Sequence, residues 1–512
     1  MIEDSKSTAL SSTFWSRLTT SPFSSPTLFL LILVCELGTL LLRASRRRFW
    51  FDELFTFHVS GLHPFSSLMQ ALKVGVDGMP PAYYAMVELA RLIPVDPHTA
   101  LRLPSICGYM LTLLGVYWFA EKSLPVLAGP TAVLLVSLSP FRDYALEARS
   151  YSLLVGFLAI AAVCWQRVDS KRFMALMLAV SLGLAVSCHH LAVVTISVFG
   201  VAELSWTAVN RRFRWKVWIA CITASLPFFL DLPILLNFRK TFGKNFWAKP
   251  SLSSVVHSYS FYLGLDLKVT VVFILFFAIL FAMLLLQIPG GPKRPRSDAA
   301  WSLPESVLVG GFLFYPALLI MLTMLAHSGY TARYGWPAII GATLAALYFL
   351  RPARPLSSYL VVALLVAFVI QLGGDFATLP RRDSIIVDER WAHLASVTTA
   401  EPQLPIVIAS GITFLEADKY SPPELHDRLV ELVDEQTAIR MVGTDSIDKG
   451  NLQLASYVPL RIENRAQFEA AHPKFYVYSG GNRDWLTHYL LENKYNLKLI
   501  SDVGSNIYLV ER

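Results

Sequence analysis

The chain has 512 residues, 54% of them hydrophobic and 16% charged, with a formal net charge of +7, whereas an ordinary globular chain is about 25% charged. The charge divides near residue 371: residues 1–371 carry 30 Lys+Arg against 17 Asp+Glu, and residues 372–512 carry 14 against 20. A long apolar, basic part followed by a part of ordinary charge density excludes a disordered chain, a secreted mini-protein and a purely cytosolic enzyme, and basic clusters set between apolar runs are not the footprint of a nucleic-acid binder.

After an N-terminal cytoplasmic segment, residues 1–25, the apolar runs predict membrane-spanning helices near 26–42, 100–119, 125–141, 151–166, 173–188, 190–205, 217–236, 269–288, 305–326, 336–350 and 356–372, about eleven in all at roughly 20 apolar residues per crossing. The first is not a cleaved signal peptide, because only Arg43 and Arg46, Arg47 and Arg48 follow it, with no small-residue cleavage site. Segment 43–99 is too long for a plain connector. Its stretches 53–62, 65–74 and 81–92 have helical spacing but too much polarity to span, so they are expected to lie flat at the membrane surface. The compact basic loops 167–172, 211–216, 293–296 and 351–354 are assigned to the cytoplasm. Loops 43–99, 142–150, 237–268 and 327–335 then share the outer face with the tail. The run Arg46-Arg47-Arg48 lands outside against that rule, and is read as capping the first span or meeting anionic headgroups. Residues 373–512 read as a small extracytoplasmic α/β domain: a buried strand at 404–409, a helix at 412–420, a strand at 474–478, a helix at 484–493 and a hairpin around Gly504. Cys35, Cys107, Cys164, Cys188 and Cys221 lie in or beside apolar stretches without a C-x-x-C pair, so they read as small core residues rather than a disulfide or zinc framework.

The outer loops hold the candidate chemistry. Asp52 and Glu53 follow Phe49-Trp50-Phe51 just past the first span. Carboxylates partly desolvated at the bilayer edge suit a general base, and the bland alternative is a helix cap with Asp52 at the N-cap. Asp77-Gly78-Met79-Pro80-Pro81-Ala82-Tyr83-Tyr84 combines an extended double proline, a helix start and two tyrosines at interface depth; the bland alternative is an ordinary turn with interfacial anchors. Arg102, in Arg102-Leu103-Pro104-Ser105, opposes the macrodipole at a helix start and calls for a carboxylate or phosphate partner, or snorkels to headgroups. In the loop 139–151, Asp143, Glu147 and Tyr151 would share one face of a helix, beside Arg142 and Arg149. Arg333 and Tyr334 precede a late span, where a charge at membrane depth requires a lipid phosphate, Glu147 or Asp52 as partner. Lys240, Lys244 and Lys249 interleave with Phe242, Phe246 and Trp247, a pattern for an anionic headgroup or for simple contact with the membrane. Glu36 is expected to face other helices, and His189-His190 reads as a satisfied polar turn. There is no Gly-rich phosphate loop, Rossmann fingerprint, H-E-x-x-H, G-x-S-x-G or D-x-D.

In that order, an acidic pair after the first span, Pro-Pro-x-Tyr-Tyr, Arg-Leu-Pro-Ser, Glu-Ala-Arg-Ser-Tyr and a late Arg-Tyr, the chain resembles the polytopic glycosyltransferases of the GT-C class, closest to the bacterial protein-mannosyltransferase-like and aminoarabinose-transferase-like branch, over residues 26–350. Where that branch often has His before the double proline, this chain has Met79. The resemblance implies a mainly α polytopic membrane enzyme of the bacterial inner membrane. It implies a sugar donor on a polyprenyl phosphate, used on the extracytoplasmic side, and a hydroxyl acceptor on a lipid, glycan or protein. Asp52 maps to the presumed base, with Glu53 and Glu147 as further catalytic acids. Arg333, Arg149, Arg102 and Lys244 are the cations expected at the donor phosphate, and Tyr83, Tyr84, Tyr151 and Tyr334 the substrate-lining rings. No cofactor is required by this reading, and a divalent cation between Asp52 and Glu147 stays open. A polysaccharide polymerase or ligase, and a transporter or flippase of lipid-linked glycans, are the alternatives.

Overall fold

The computed structural model describes residues 25–123, 127–271, 302–350, 354–380, 389–480 and 484–511. The expected segment 1–25, the span 269–288 and the loop 293–296 lie almost wholly outside these. In chain order the helices of the apolar part are α1 (Ser25–Ala44), α2 (Phe51–Ser60), α3 (Phe65–Val74), α4 (Pro81–Arg91), α5 (Pro97–Ser123), α6 (Ala128–Ser137), α7 (Tyr151–Gln166), α8 (Met174–Cys188), α9 (Val193–Asn210), α10 (Trp215–Ala224), α11 (Leu226–Phe242), α12 (Ser253–Leu263), α13 (Leu303–Leu325), α14 (Ala338–Leu350) and α15 (Arg354–Ala377). Short 3-10 turns stand at Pro140–Leu146, His190–Ala192 and Ala332–Gly335.

Among the described residues six helical segments are long and apolar enough to cross a membrane, or seven if the bent pair Pro140–Leu146 and Tyr151–Gln166 counts as one; three shorter apolar helices accompany them. The chain is a multi-pass membrane protein. The expected division between the spans 173–188 and 190–205 is a real break, made by the turn His190–Ala192 between α8 and α9. The expected span 125–141 is shorter than drawn, because α6 ends at Ser137 before the proline of the next turn. α5 and α7 cross with almost no side chain between them: a Cβ on Gly108 would lie 2.3 Å from the Leu153 nitrogen, and one on Gly156 would lie 2.2 Å from the Gly108 carbonyl oxygen. Small residues allow such close backbone approach where helices pack within a bilayer.

The three amphipathic stretches fold as α2, α3 and α4. α3 stops at Gly75, whose φ of +94° suits glycine, and α4 starts on Pro81, in a position where the missing N–H is not required.

The tail adds α16 (Glu389–Val397), β1 (Ile406–Ile408), α17 (Gly411–Tyr420), α18 (Pro423–His426), β2 (Leu429–Val433), α19 (Glu435–Val442), α20 (Ser446–Ala455), β3 (Ile462–Asn464), α21 (Arg465–Ala471), β4 (Lys474–Ser479), α22 (Trp485–Glu492), β5 (Asn496–Ser501) and β6 (Asn506–Glu511). They form a six-stranded sheet of order β3-β2-β1-β4-β6-β5. β1 runs parallel to β2 and β4, and β2 to β3, while β6 closes antiparallel on β4 and β5. The hairpin turns at Gly504, with φ +73°. β2 and β3 are additions to the strands read from sequence.

The tail docks on α2. The Phe49 N–H donates to the Tyr420 hydroxyl at 2.8 Å, and the His98 ring stacks on Phe49 at 4.5 Å. The Lys419 ammonium sits 4.0 Å from the Phe57 ring centre. α2 is thus clamped between the apolar part and the tail.

Candidate active site

The site is built on one buried ion pair. Glu53 and Arg102 are both 0% exposed, and Arg102 donates to the two Glu53 carboxylate oxygens at 2.8 and 2.7 Å. Its remaining N–H groups reach the carbonyls of Ala44, Arg47 and Arg48 at 2.8, 2.6 and 2.9 Å, so one guanidinium fork satisfies the end of α1 and the turn after it. Glu53 also accepts from the Trp50 N–H at 3.3 Å, as the N3 residue of a capping box, and from the Ala148 N–H at 2.7 Å. The cap is therefore formed by Trp50 and Glu53, and Asp52 is left within the first turn of α2.

Asp52 accepts from Arg333 on the 3-10 turn Ala332–Gly335. Both side chains retain some access, at 17% and 18%. The Arg333 guanidinium lies over Trp50 at 5.5 Å and Tyr151 at 5.8 Å, contacts that favour a cation where water is scarce. The turn can reach this position because residue 335 is glycine: a Cβ there would meet the Tyr262 hydroxyl at 2.0 Å.

Arg149 stands on the other flank. It donates to Asp77 at 2.8 Å and to the Asp52 backbone carbonyl at 3.3 Å, and its own carbonyl accepts from Ser105 at 2.9 Å. Burial works to raise the Asp77 carboxyl, but Arg149, the Tyr84 hydroxyl at 2.5 Å and the Gly78 N–H at 2.6 Å outweigh it and hold Asp77 below the usual carboxylate range. Met79, at the position where the resembled branch often carries His, accepts from the Ser150 hydroxyl at 3.2 Å.

Glu147 completes the group. The loop is not the single helix that would align Asp143, Glu147 and Tyr151. The 3-10 turn ends at Leu146, Glu147 is extended (φ −110°, ψ 124°), and α7 begins only at Tyr151. Burial raises the Glu147 carboxyl to about 7; Arg47 and Arg333 pull it down, and Glu53 and Asp52 push it up. Its Oε2 is buried without a hydrogen-bond partner.

Of the expected lining rings, Tyr83 and Tyr84 are fully enclosed and Tyr151 is 2% exposed, while Tyr334 is half-buried. Tyr334 packs against His189 at 5.0 Å, and His189 against Tyr151 at 5.9 Å. Burial, then His190, Arg149 and Arg333, lower His189 to about 3, so it is neutral. Lys244 lies apart, in a cavity of about 1230 Å³ lined by Arg239, Lys240, Lys249, Leu236 and His327. This cavity adjoins the segment that carries Arg333, since the Tyr330 N–H donates to the Ala248 carbonyl at 2.9 Å.

Sequence reasoning named the motifs of Asp77, Trp50 and His189 without giving those residues a place in the site. Asp77 had a signal, as the acid of its turn. His189 had none, because its neighbours Arg149 and Tyr151, and Arg333 and Tyr334, come from two segments distant in the chain. Among the described residues no group of three or more His, Cys, Asp or Glu side chains could hold a metal ion.

No family model and no curated protein matches the sequence. The fold, in contrast, is similar to that of ArnT from Cupriavidus metallidurans. Against its structure bound to undecaprenyl phosphate the TM-score is 0.53 at 13% identity, covering 94% of this chain and 97% of that one; against its apo structure the TM-score is 0.55 at the same identity and coverage. The likeness extends over nearly the whole of both chains, tail included, and gives this chain the GT-C-like fold that the motif order implied.

Proposed function

We propose that this chain is a membrane glycosyltransferase that moves a sugar from a polyprenyl-phosphate donor to an acceptor hydroxyl on the extracytoplasmic face of a bacterial inner membrane. The observation that carries this reading is the pairing of a partly accessible Asp52 with Arg333, held beside the wholly buried Glu53–Arg102 pair. The fold supports it, since ArnT has been solved with undecaprenyl phosphate bound.

Asp52 accepts the proton of the acceptor hydroxyl as its oxygen attacks the anomeric carbon. The bond from that carbon to the phosphate oxygen breaks on the opposite face, configuration inverts, and polyprenyl phosphate leaves with the electron pair. The leaving group needs stabilisation of its negative charge more than protonation. Arg333 turns from Asp52 toward that phosphate, which frees the carboxylate to act as base, and Arg149 supplies a second nearby cation. The cavity holding Lys240, Lys244 and Lys249 has apolar walls at Leu236 and Met324 and takes the lipid part of the donor. Glu53 and Arg102, which engage each other and the backbone, act as positioning residues. Tyr83 and Tyr84 support Asp77 from within the core.

The test uses purified protein with a radiolabelled polyprenyl-phosphate sugar and an envelope lipid and glycan extract. Label in a new product, with an equal amount of released polyprenyl phosphate, supports the reading. Donor that is bound or moved across the bilayer but stays intact overturns it in favour of a transporter.

A further inference from the structure

A second ion network lies within the helical part, apart from the Glu53–Arg102 pair. Glu36, in the second half of α1, is 0% exposed. Both of its carboxylate oxygens accept from the Arg142 Nε–H, at 3.0 and 2.8 Å. Arg142 is 4% exposed, and its Nη1 donates to Asp375, near the end of α15, at 2.6 Å. Asp375 also pairs with Arg43 at 3.3 Å, and Arg43 with Asp143 at 3.1 Å. α15 is fastened a second time where the Gln371 side-chain amide donates to the Ser137 carbonyl at 3.0 Å. The chain from Ser137 to Asp143 is thus tied to α1 on one side and to α15 on the other.

Stability alone does not explain such a network. Carboxylates and guanidinium groups at this depth are costly to desolvate, and an apolar set of the same volume holds helices together as well or better. Charged hydrogen bonds add direction, because they favour one backbone arrangement where apolar contacts allow several. The arrangement held here is the turn Pro140–Leu146. It runs for 7 residues in 3-10 form, whereas such turns seldom exceed about 3–4 residues, so a brace from outside the turn is called for.

The braced turn leads straight into the site. Glu147 follows Leu146, the Ala148 N–H donates to Glu53 at 2.7 Å, and Arg149 reaches Asp77 and the Asp52 carbonyl at 2.8 and 3.3 Å. From Arg142 to Glu147 the chain rises only about 10 Å, at roughly 2 Å per residue of such a turn. The loop is therefore held at both ends, by Glu36 and Asp375 before Glu147 and by Glu53 and Asp77 after it. Slack at the first end would be felt at the second.

We infer that Glu36, Arg142 and Asp375 are positioning residues: they brace the turn Pro140–Leu146 from within the helical part and so hold Glu147 and Arg149 in place beside Asp52. The brace stands on its own contacts; its consequence for turnover rests on the transferase reading above.

The experiment compares wild type, Arg142→Gln, Arg142→Lys, Asp375→Asn and Arg214→Gln as purified full chains in detergent. Arg214 pairs with Glu203 at 2.5 Å in a second, equally buried pair, and its variant is the control for loss of stability alone. Amide exchange followed by mass spectrometry reads the brace. Arg142→Gln should speed exchange across residues 143–149 by about tenfold or more, with the α5–α7 crossing still protected and Arg214→Gln unchanged in that loop. Sugar transfer reads the consequence. In Arg142→Gln, kcat should fall by about 10–100-fold, the scale of a displacement near 1 Å, with a much smaller rise in donor KM. Arg142→Lys should recover part of the rate, and Arg214→Gln should unfold at lower temperature yet keep its kcat per folded molecule. If Arg142→Gln does not fold, Asp375→Asn leaves Glu36 and Arg142 paired and should give the same changes at smaller amplitude. Exchange across 143–149 no faster than in wild type overturns the brace. Faster exchange with unaltered kcat, or a loss of kcat that Arg214→Gln shares, overturns the positioning role. Faster exchange in Arg142→Gln, when wild type itself transfers no sugar, defeats the transferase reading while leaving the brace standing.

Discussion

Replacing Arg102 by Met isolates the pair on which the site is built. The substitution leaves the Glu53 carboxylate, 0% exposed, without its cation, and it leaves the carbonyls of Ala44, Arg47 and Arg48 without their donor. Breaking one side of a buried pair costs about 3–5 kcal/mol, and unpaired backbone acceptors add about 1 kcal/mol or more each. The total is about 5 kcal/mol or more, a large part of a typical folding free energy of about 5–15 kcal/mol. The Met side chain returns little of this, because the lost contacts are polar. Glu53→Gln/Arg102→Met removes both charges, so it should be less destabilised than the sum of its single variants, by roughly 1–3 kcal/mol of coupling. The assay is thermal unfolding of detergent-solubilised protein followed by size-exclusion fluorescence. Arg102→Met should fall by about 10 °C or more, with the double variant clearly above the additive expectation. Unfolding of Arg102→Met within a degree or two of wild type, or strict additivity in the cycle, would refute the reasoning.

Arg333→Ala should weaken apparent donor affinity and slow transfer, and Arg333→Lys should recover part of each; an unchanged donor dependence would separate Arg333 from the phosphate. Glu147 gives a pH signature. Its carboxyl is raised from 4.5 to about 7 in the fold, so the folded state holds the proton more tightly than the unfolded one, and stability falls as pH rises through that window. Glu147→Gln should flatten this dependence between about pH 4.5 and 7, as read from unfolding temperature against pH; an unaltered profile counts against it. Gly156→Ala would drive a methyl into the Gly108 carbonyl, 2.2 Å from the new carbon, and should cost about 1–3 kcal/mol or more, seen as lower folded yield and unfolding temperature. Full stability of that variant would deny the close α5–α7 crossing.

Periodicity and polarity carried most of the architecture. The three amphipathic helices after the first span appear nearly where their spacing put them, and the tail strands 404–409 and 474–478 became β1 and β4, the central pair of the sheet. β2 and β3 were missed for different reasons. Leu429-Val430-Glu431-Leu432-Val433 is interrupted by a glutamate that is in fact buried at 2% exposure, and Ile462–Asn464 is a three-residue edge strand. The loop 139–151 misled because i, i+4 spacing is only a helical face if the backbone is helical, and Pro140 begins a 3-10 turn that ends before Glu147. The loops singled out in the sequence for their charges do come together, but the sequence did not show which charges engage each other. Asp52 and Glu53 are adjacent and alike in type, yet Glu53 lies on the inward face of α2 and meets Arg102, while Asp52 lies on the face that meets Arg333. That division follows from tertiary packing of segments about 50 and 280 residues away.

The most direct measurement is single-turnover transfer by Asp52→Asn, with donor binding recorded separately on the same preparation. The account predicts that donor binds with near wild-type affinity while the transfer step slows by about 10²–10⁴-fold, as expected for loss of a general base. Transfer by Asp52→Asn at close to the wild-type rate, with donor bound equally well, would contradict it.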